Sequence, residues 1–173
     1  MTQAREEPYP GIRHGETTLA FDPAERVDAG VRFIGRIRTP WARGDCPRNV
    51  TSARERAAAE GGRFRVELED GFAPGLTGLD VGRGVFLIYW MHQARRDLIT
   101  QAPRHVEGTR GTFALRSPNR PNPLAMCAVT ITAIDPLAGW FEVDAVDCFD
   151  GTPLVDIKPW TAAVDTPAEA LKP

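Results

Sequence analysis

Long apolar runs are absent from this sequence of 173 residues. No stretch approaches the roughly 20 consecutive apolar residues that a membrane helix needs. The first residues, MTQAREEPYPGIRHGETT, also lack the apolar centre and the small-residue cleavage pattern of a secretory signal. We therefore expect a soluble, cytoplasmic protein, with a polar N-terminal extension at 1–28, one domain at 29–165 and a tail at 166–173.

Cysteine is scarce, and its spacing excludes two kinds of site. Cys46, Cys127 and Cys148 are far apart, and neither a second cysteine nor a histidine stands at ligand spacing from them. We expect no zinc or other metal site and no disulfide framework. Cys127 and Cys148 lie in apolar runs, which is typical of small buried side chains.

A large positive charge is also missing, because the formal net charge is −2. This value argues against general adhesion to nucleic acid. The charges are nevertheless unevenly distributed. Residues 95–120 are basic (Arg95, Arg96, Arg104, Arg110, Arg116 and Arg120 against Asp97 and Glu107), and residues 142–156 are acidic (Glu142, Asp144, Asp147, Asp150 and Asp156). The two stretches either neutralise each other or include a basic binding surface.

Nucleotide-binding fingerprints are absent too. There is no G-x-G-x-x-G after a strand and no G-x-x-x-x-G-K-[ST]. Strand patterns dominate instead, namely VRFIGRIRTPW, the alternating RFRVELED, the apolar GVFLIYWMH, CAVTITAI and WFEVDAVDCF, whereas ARERAAAE before Gly61 is the one strong helix pattern. We predict a mainly β, single-domain fold: a mostly antiparallel β-barrel with small helical insertions. Within it, GVFLIYWMH is expected to be a central strand, buried on both faces.

A rigid polar stretch, RSPNRPNP at 116–123, precedes one of these strands. Its prolines exclude a helix and favour extended or polyproline II backbone. At three residues per turn, Arg116, Asn119 and Asn122 would share one side. Such a loop is either a plain surface connection or a recognition element for a compact polar ligand, to which an arginine and an asparagine offer prepositioned donors and acceptors.

A second rigid segment is DCFDGTPLVDIKPW at 147–160. Asp150 and Gly151 form a strong turn pair at a strand end. The carboxylate of Asp150 either bonds to the backbone of its own turn or, with neighbouring backbone groups, holds the hydroxyls or amine of a bound nucleoside.

Taken together, these stretches resemble the TsaA-like family, also called the YaeB or TrmO family of tRNA methyltransferases. The motifs that carry the resemblance occur in the family's order over roughly 31–165: IGRIRTP, PRN, LIYWMHQ, GTFALRSPNRPNP and DGTPLVDIKPW. The family's P-R-Q-P-G is replaced by PRNVTS, the Gly-Gly after its P-R-L element by PRHVEG, and longer members have a second, C-terminal domain.

The resemblance implies a homodimeric β-barrel that binds S-adenosylmethionine and methylates N6 of threonylcarbamoyl-adenosine beside the tRNA anticodon. By motif, the cofactor contacts would be Arg48, Asn49, His92, Gln93, Arg116, Met126, Cys148, Phe149, Asp150 and Gly151. Substrate contacts would include Arg120, Asn119 and Lys158, with the basic segment along the anticodon loop and Trp41 and Trp160 as candidate stacking platforms.

The catalytic assignment is a hypothesis. Asn122 would accept a hydrogen bond from the N6 group, and Asp150 would take the proton late in the transfer. Arg116 or Arg48 suits the carboxylate of the cofactor. Two alternatives stay open: a module that binds S-adenosylmethionine without transferring its methyl group, and a methyltransferase with a small-molecule acceptor.

Overall fold

The computed structural model describes residues 11–104 and 107–167. Backbone contacts divide these residues into two compact units, one within 11–31 and 90–125 and the other within 32–89 and 126–167. Residues 1–10 of the predicted extension, 168–173 of the predicted tail and residues 105–106 of the basic segment lie outside the described residues. Across the described ranges, no helix has the length and apolarity required to cross a bilayer.

The elements of the described residues are mostly short strands. In chain order they are β1 (Thr17–Thr18), β2 (Gly35–Arg38), α1 (Val50–Glu60), β3 (Arg65–Leu68), β4 (Gly84–Trp90), β5 (Leu98–Gln101), β6 (Arg110–Gly111), β7 (Leu124–Asp135), β8 (Trp140–Val143), β9 (Thr152–Pro159) and α2 (Ala162–Asp165). Two 3-10 turns, Ala73–Leu76 and Thr112–Ala114, complete the set.

The second unit is built on a closed barrel in the order β2-β3-β8-β7-β4-β9. Its described strand pairs are antiparallel, which confirms the predicted fold class. Alternating side chains fill the interior, since successive residues of a strand point to opposite faces. The apolar core includes Ile37, Val66, Leu87, Phe141 and Leu154, none of which is exposed to solvent.

Strand β4 differs from its prediction as a strand buried on both faces. Val85, Leu87 and Tyr89 are buried, whereas Phe86, Ile88 and Trp90 are only half-buried. The reason is the closed barrel: one face of every strand must point outward, and a bulky apolar side chain there is covered only in part.

Helix α1 begins three residues earlier than ARERAAAE predicts. Asn49 is its N-cap, and the side-chain Oδ1 of Asn49 accepts a hydrogen bond from Ser52 N at 2.8 Å. Such a cap satisfies one of the free N–H groups of the first turn. The helix ends at Gly61, where φ is +76°, as the glycine pair predicts.

The first unit contains a small sheet that the sequence patterns do not predict, with the order β1-β5-β6. Part of the predicted N-terminal extension takes part in it. Thr17 pairs with Thr100, Leu19 N donates to Asp97 O at 2.7 Å, and Glu16 accepts a hydrogen bond from Ala102 N at 3.1 Å. Residues 16–19 are therefore packed along β5.

Candidate functional site

The Asp150-Gly151 turn forms as predicted in the barrel unit. Thr152 N donates to Phe149 O at 3.2 Å, and Gly151 has a φ of +75°, a left-handed conformation that favours glycine. The side chain of Asp150 does not bond to its own turn. Its Oδ1 accepts a hydrogen bond from Thr39 N at 3.2 Å, and its Oδ2 lies 3.4 Å from Arg38 Nη1.

The turn is held against the end of β2 by reciprocal hydrogen bonds. Asp150 N donates to Trp41 O and Gly151 N to Ile37 O, both at 2.9 Å. In the other direction, the Thr39 hydroxyl donates to Cys148 O at 2.9 Å and accepts from Trp41 N at 3.1 Å. The hydrogen bonds of the turn thus hold the Asp150 carboxylate in place on one side, yet 52% of the side-chain surface of Asp150 remains exposed to solvent.

Trp41 does not act as a stacking platform, because it is part of this support. It is 3% exposed, its indole Nε1 donates to Val146 O at 2.9 Å, and its ring lies 5.6 Å from that of Phe64. The guanidinium of Arg56 covers the ring at 4.6 Å. Trp160, in contrast, is 40% exposed.

Three titratable side chains that interact with Asp147 have raised pKa values. Tyr89 donates to Asp147 Oδ1 at 3.3 Å, and burial together with that carboxylate raises the pKa of the phenol well above its ordinary value. Burial, with help from Asp147, also raises the pKa of Cys46 to about 12, and burial raises that of Cys148. These groups remain neutral at physiological pH, so none supplies a thiolate or phenolate nucleophile.

The cofactor candidates of the barrel unit differ in accessibility. Cys148 is fully buried, as the sequence predicts for this side chain, and Phe149 is half-buried. Asn49 uses its amide oxygen as the helix cap, and Arg48 beside it is exposed. Met126 on β7 is 47% exposed. Lys158 on β9 is exposed and pairs with Asp156 at 3.1 Å.

The proline loop, residues 116–123, is in the first unit, and its polar side chains do not share one side. Arg116 and Asn122 are exposed, but Asn119 is 6% exposed. The prediction of a common polyproline face is therefore wrong. The side chain of Asn119 points inward because its Oδ1 accepts a hydrogen bond from Arg95 N at 3.2 Å. The backbone carbonyl of Asn119 accepts another from Gln101 Nε2 at 2.7 Å.

Gln101 is the centre of a buried polar network beneath this loop. It is 2% exposed, and its Nε2 also donates to Thr112 Oγ1 at 3.0 Å; that hydroxyl in turn donates to Leu98 O at 2.9 Å. Polar groups buried in this way stabilise a conformation only when each finds its partner. Through Gln101, the network links Thr112 at the start of the loop to the backbone of Asn119 within it.

Arginines of the basic segment also support the loop. The guanidinium of Arg120 donates to the carbonyls of Ser117 at 3.0 Å and Thr112 at 3.3 Å, and to that of Leu115. Arg96 Nε donates to Pro121 O at 2.7 Å, and Arg95 forms a bidentate pair with Asp97. Arg95, Arg96 and Arg120 of the basic segment thus form hydrogen bonds within the first unit.

The end of β4 and the end of the proline loop come together in this unit. Met91 N donates to Pro123 O at 2.8 Å, which places the exposed turn of His92 and Gln93 beside the exposed Asn122. The Nε2 atoms of His92 and Gln93 are 3.4 Å apart. This hydrogen bond brings the chain segments that carry His92, Gln93 and Asn122 close together.

Two residues that matter for these arrangements are missed by the sequence patterns. Thr39 reads as the stop of a strand, and Gln101 as part of an unremarkable polar stretch. A signal existed for Thr39 alone: a threonine before proline at a strand end has a hydroxyl and an N–H free to bond a neighbouring turn. No local pattern marks Gln101, whose partners come from residues 11 and 18 positions away.

Comparison with known proteins gives consistent matches. The sequence profile described as "tRNA-methyltransferase O N-terminal domain" matches residues 36–166. The "Probable S-adenosyl-L-methionine-binding protein VirR" of Rhizobium radiobacter is 34% identical over 149 residues, covering 86% of this chain and 79% of that protein. An "S-adenosyl-L-methionine-binding protein" of Archaeoglobus fulgidus is 31% identical over 138 residues, covering 76% of this chain and 89% of that protein.

Among solved structures, the fold is similar to the crystal structure of TrmO from Pseudomonas aeruginosa, with a TM-score of 0.63 and 29% identity. The similarity covers 84% of this chain and 62% of that one. The chain thus spans less than two thirds of the TrmO chain that it matches.

Proposed function

This chain belongs to the TrmO family and matches the N-terminal domain of that family. We therefore propose that it binds S-adenosylmethionine and transfers the methyl group to an adenosine N6 of tRNA. The observation that carries the proposal is the match over 36–166, which includes every candidate residue of both units. The relatives from R. radiobacter and A. fulgidus are named for binding this cofactor, which supports the first half of the proposal.

Asp150 is the proposed cofactor contact with the strongest geometric support. A carboxylate held by Thr39 N–H and Arg38 keeps unused acceptor positions on its exposed side. Ribose hydroxyls are suitable donors to such a group. The fixed turn gives this contact little ordering cost, since the backbone N–H groups of Asp150 and Gly151 are already bonded.

Three further cofactor assignments are proposed, two on exposed side chains and one on a backbone position. Arg48 and Arg116 are exposed guanidinium groups suited to the carboxylate of the methionine part. His92 and Gln93 offer ring and amide groups for the adenine or the amino group. Cys148 would contribute through its position in the turn, because its side chain is buried and its carbonyl accepts from Thr39.

The proposed transfer needs no covalent enzyme intermediate. The N6 nitrogen attacks the methyl carbon, the carbon–sulfur bond breaks, and its electron pair stays on sulfur, which becomes a neutral thioether. The nitrogen loses its proton, for which Asp150 is the proposed acceptor. Alignment of nitrogen, carbon and sulfur is the main source of acceleration, because the nucleophile is weak.

Asn122 is proposed independently as a hydrogen-bond acceptor for the N6 group in the first unit. Its side chain is exposed, and the next residue, Pro123, accepts a hydrogen bond from Met91 N. Arg120 and Asn119, the other assigned substrate contacts of this loop, are proposed to act by holding its shape. Lys158, exposed on β9 and paired with Asp156, remains a proposed substrate contact. The homodimer that the resemblance implies stays part of the proposal.

Methyl transfer is tested with labelled S-adenosylmethionine and two tRNA preparations, with and without the threonylcarbamoyl group on the adenosine beside the anticodon. We expect label in the modified tRNA alone. Cofactor binding without transfer to either tRNA would favour a binding module, and transfer only to small molecules of a cell extract would favour the third alternative. Absence of cofactor binding would contradict the proposal as a whole.

A further inference from the structure

The outer face of three neighbouring barrel strands carries an unusual set of arginines. Along β2, Arg36 and Arg38 alternate with the buried Ile37, and along β3, Arg65 and Glu67 flank the buried Val66. On β8, Trp140 and Glu142 occupy the outer face in the same way. The register places Arg38 opposite Arg65, and Arg65 opposite Glu142.

Two arginines directly opposite each other on paired strands are destabilising. The nearby carboxylates balance the charge of these arginines but accept from only some of their N–H donors. Glu67 accepts from Arg38 Nε at 2.9 Å, whereas Glu142 is shared, since it accepts from Arg65 Nη2 at 3.1 Å and also from Arg63. Three guanidinium groups thus depend on two glutamates of this face, with Asp150 at 3.4 Å from Arg38 as the third acid nearby.

Arg65 has a donor left over. Its guanidinium stacks on the Trp140 ring at 3.8 Å, which fixes its plane. Among the buried side-chain nitrogen and oxygen atoms of residues 11–104 and 107–167, Arg65 Nε is the one without a hydrogen-bond partner. Buried donors without partners are costly, so one that persists calls for an explanation.

These arginines line an open depression on the barrel unit, whose walls are Arg38, Thr39, Pro40, Arg63, Arg65 and Glu67. We propose that this depression is an anion site that takes a phosphate group. Guanidinium groups bind phosphate oxygens in a bidentate way, and convergence of several suits an anion with more than one charge. The depression shares Arg38 and Thr39 with the support of Asp150. The anion proposal rests on the arginines and does not depend on cofactor binding.

The probe is inorganic phosphate, titrated against the full chain at constant ionic strength with chloride as the compensating ion. Arginine Nε–H resonances report the contact directly in proton–nitrogen spectra. We expect saturable shifts for Arg65 and Arg63, and a loss of affinity of about tenfold in Arg63→Gln, where a charge-assisted hydrogen bond is removed. Arg63 is 67% exposed, so this variant should fold normally.

Arg36→Gln is the matched control, because it removes the same charge from the same face but does not line the depression. It should change the phosphate affinity less than twofold. Arg65→Lys tests the stacked guanidinium fork, since lysine retains the charge but not the planar donors. Equal losses in Arg36→Gln and Arg63→Gln, or shifts that never saturate, would overturn the proposal.

A second titration with a short single-stranded oligoribonucleotide distinguishes the source of the phosphate. If the oligoribonucleotide produces the same shifts and phosphate displaces the oligoribonucleotide, the site binds a backbone phosphodiester. If phosphate alone binds, the site takes a free phosphate or a small phosphorylated ligand. If neither shifts Arg65, there is no such site. Calorimetry of S-adenosylmethionine with Arg63→Gln should give the wild-type affinity, so the two proposals fail separately.

Discussion

The proline loop at 116–123 and the Asp150-Gly151 turn are the two rigid polar stretches of the sequence, but they use their polar side chains in opposite ways. In the proline loop, Asn119 is buried and the Arg120 guanidinium donates hydrogen bonds to three backbone carbonyls. In the turn, main-chain hydrogen bonds do most of the holding, and the Asp150 carboxylate stays half open to solvent.

The difference shows that a polar residue in a rigid motif is not thereby a ligand contact. A loop whose prolines remove backbone donors needs side chains to satisfy its carbonyls and to fix its shape. A turn with a left-handed glycine can be held by hydrogen bonds from its backbone N–H groups to neighbouring carbonyls, which leaves its carboxylate available. The exposed members, Asn122 and Arg116 in the loop and Asp150 in the turn, are the better candidates for binding.

The largest expected effect concerns the support of the turn. Trp41→Ala should lower the free energy of unfolding by about 3 to 5 kcal/mol, because it removes a buried ring and leaves Val146 O without its donor. Urea unfolding measures the change. Trp160→Ala, at a tryptophan 40% exposed, should cost clearly less. Equal costs would mean that Trp41 is not the support described here.

The next effect concerns Asp97, which orients the arginine whose backbone N–H bonds the loop. The hydrogen bond from Arg95 lowers the pKa of Asp97, so its contribution to stability is complete above the ordinary value of 3.8 and is lost as pH falls through the lower, folded value. Asp97→Asn should cost about 1 to 3 kcal/mol at neutral pH.

The pH dependence distinguishes this ion pair from an ordinary surface pair. Below pH 3.8, unfolding of Asp97→Asn should become less pH-dependent than that of the wild type. Asp28→Asn, at a carboxylate 75% exposed, is the control and should follow the wild-type curve. Parallel curves for wild type and Asp97→Asn would contradict the assignment.

Within the loop, two asparagines provide a matched pair. Asn119→Ala should cost about 1 to 2 kcal/mol, because Arg95 N loses its acceptor in a buried setting. Asn122→Ala, at an exposed side chain, should stay within about 0.5 kcal/mol of the wild type. Thermal unfolding of both variants is sufficient, and a reversed order would refute the inward role of Asn119.

The smallest expected effect is that of the Thr39 hydroxyl. Thr39→Val removes the donor to Cys148 O and the acceptor for Trp41 N, at a cost of about 1 kcal/mol. Thr77→Val is a suitable control, since its hydroxyl bonds Pro74 O at 2.8 Å on the surface. Denaturant midpoints that coincide for the two variants would show that the hydrogen bonds of the Thr39 hydroxyl contribute little to stability.

The barrel was largely predictable from the sequence because its signals are local. The alternation of RFRVELED, the turn pair at Asp150 and the glycines after α1 depend on neighbours in the chain. The pattern ARERAAAE places the start of α1 three residues too late because it reflects helix propensity, whereas the start is set by the Asn49 cap in PRNVTS. The small sheet was missed because strands of two to four residues carry almost no pattern.

The candidate sites were predictable only as residue types at rigid positions. Which side chain of a proline loop points inward depends on partners elsewhere, as with Asn119 and Gln101. In the sequence, Arg63 and Arg65 resemble the solvated face of a strand, since their alternation with Phe64 and Val66 is ordinary for a half-buried strand. Their significance depends on the register with Arg38 and Glu142, which no single stretch encodes.

Calorimetric titration of S-adenosylmethionine into the wild type, Asp150→Asn and Asp156→Asn tests the central claim most directly. Asparagine at 150 retains an oxygen for Thr39 N–H but loses the charge offered to the ribose hydroxyls. We predict binding to the wild type, about tenfold weaker binding to Asp150→Asn, and wild-type affinity for Asp156→Asn. No binding heat, or equal affinities for all three proteins, would contradict the account.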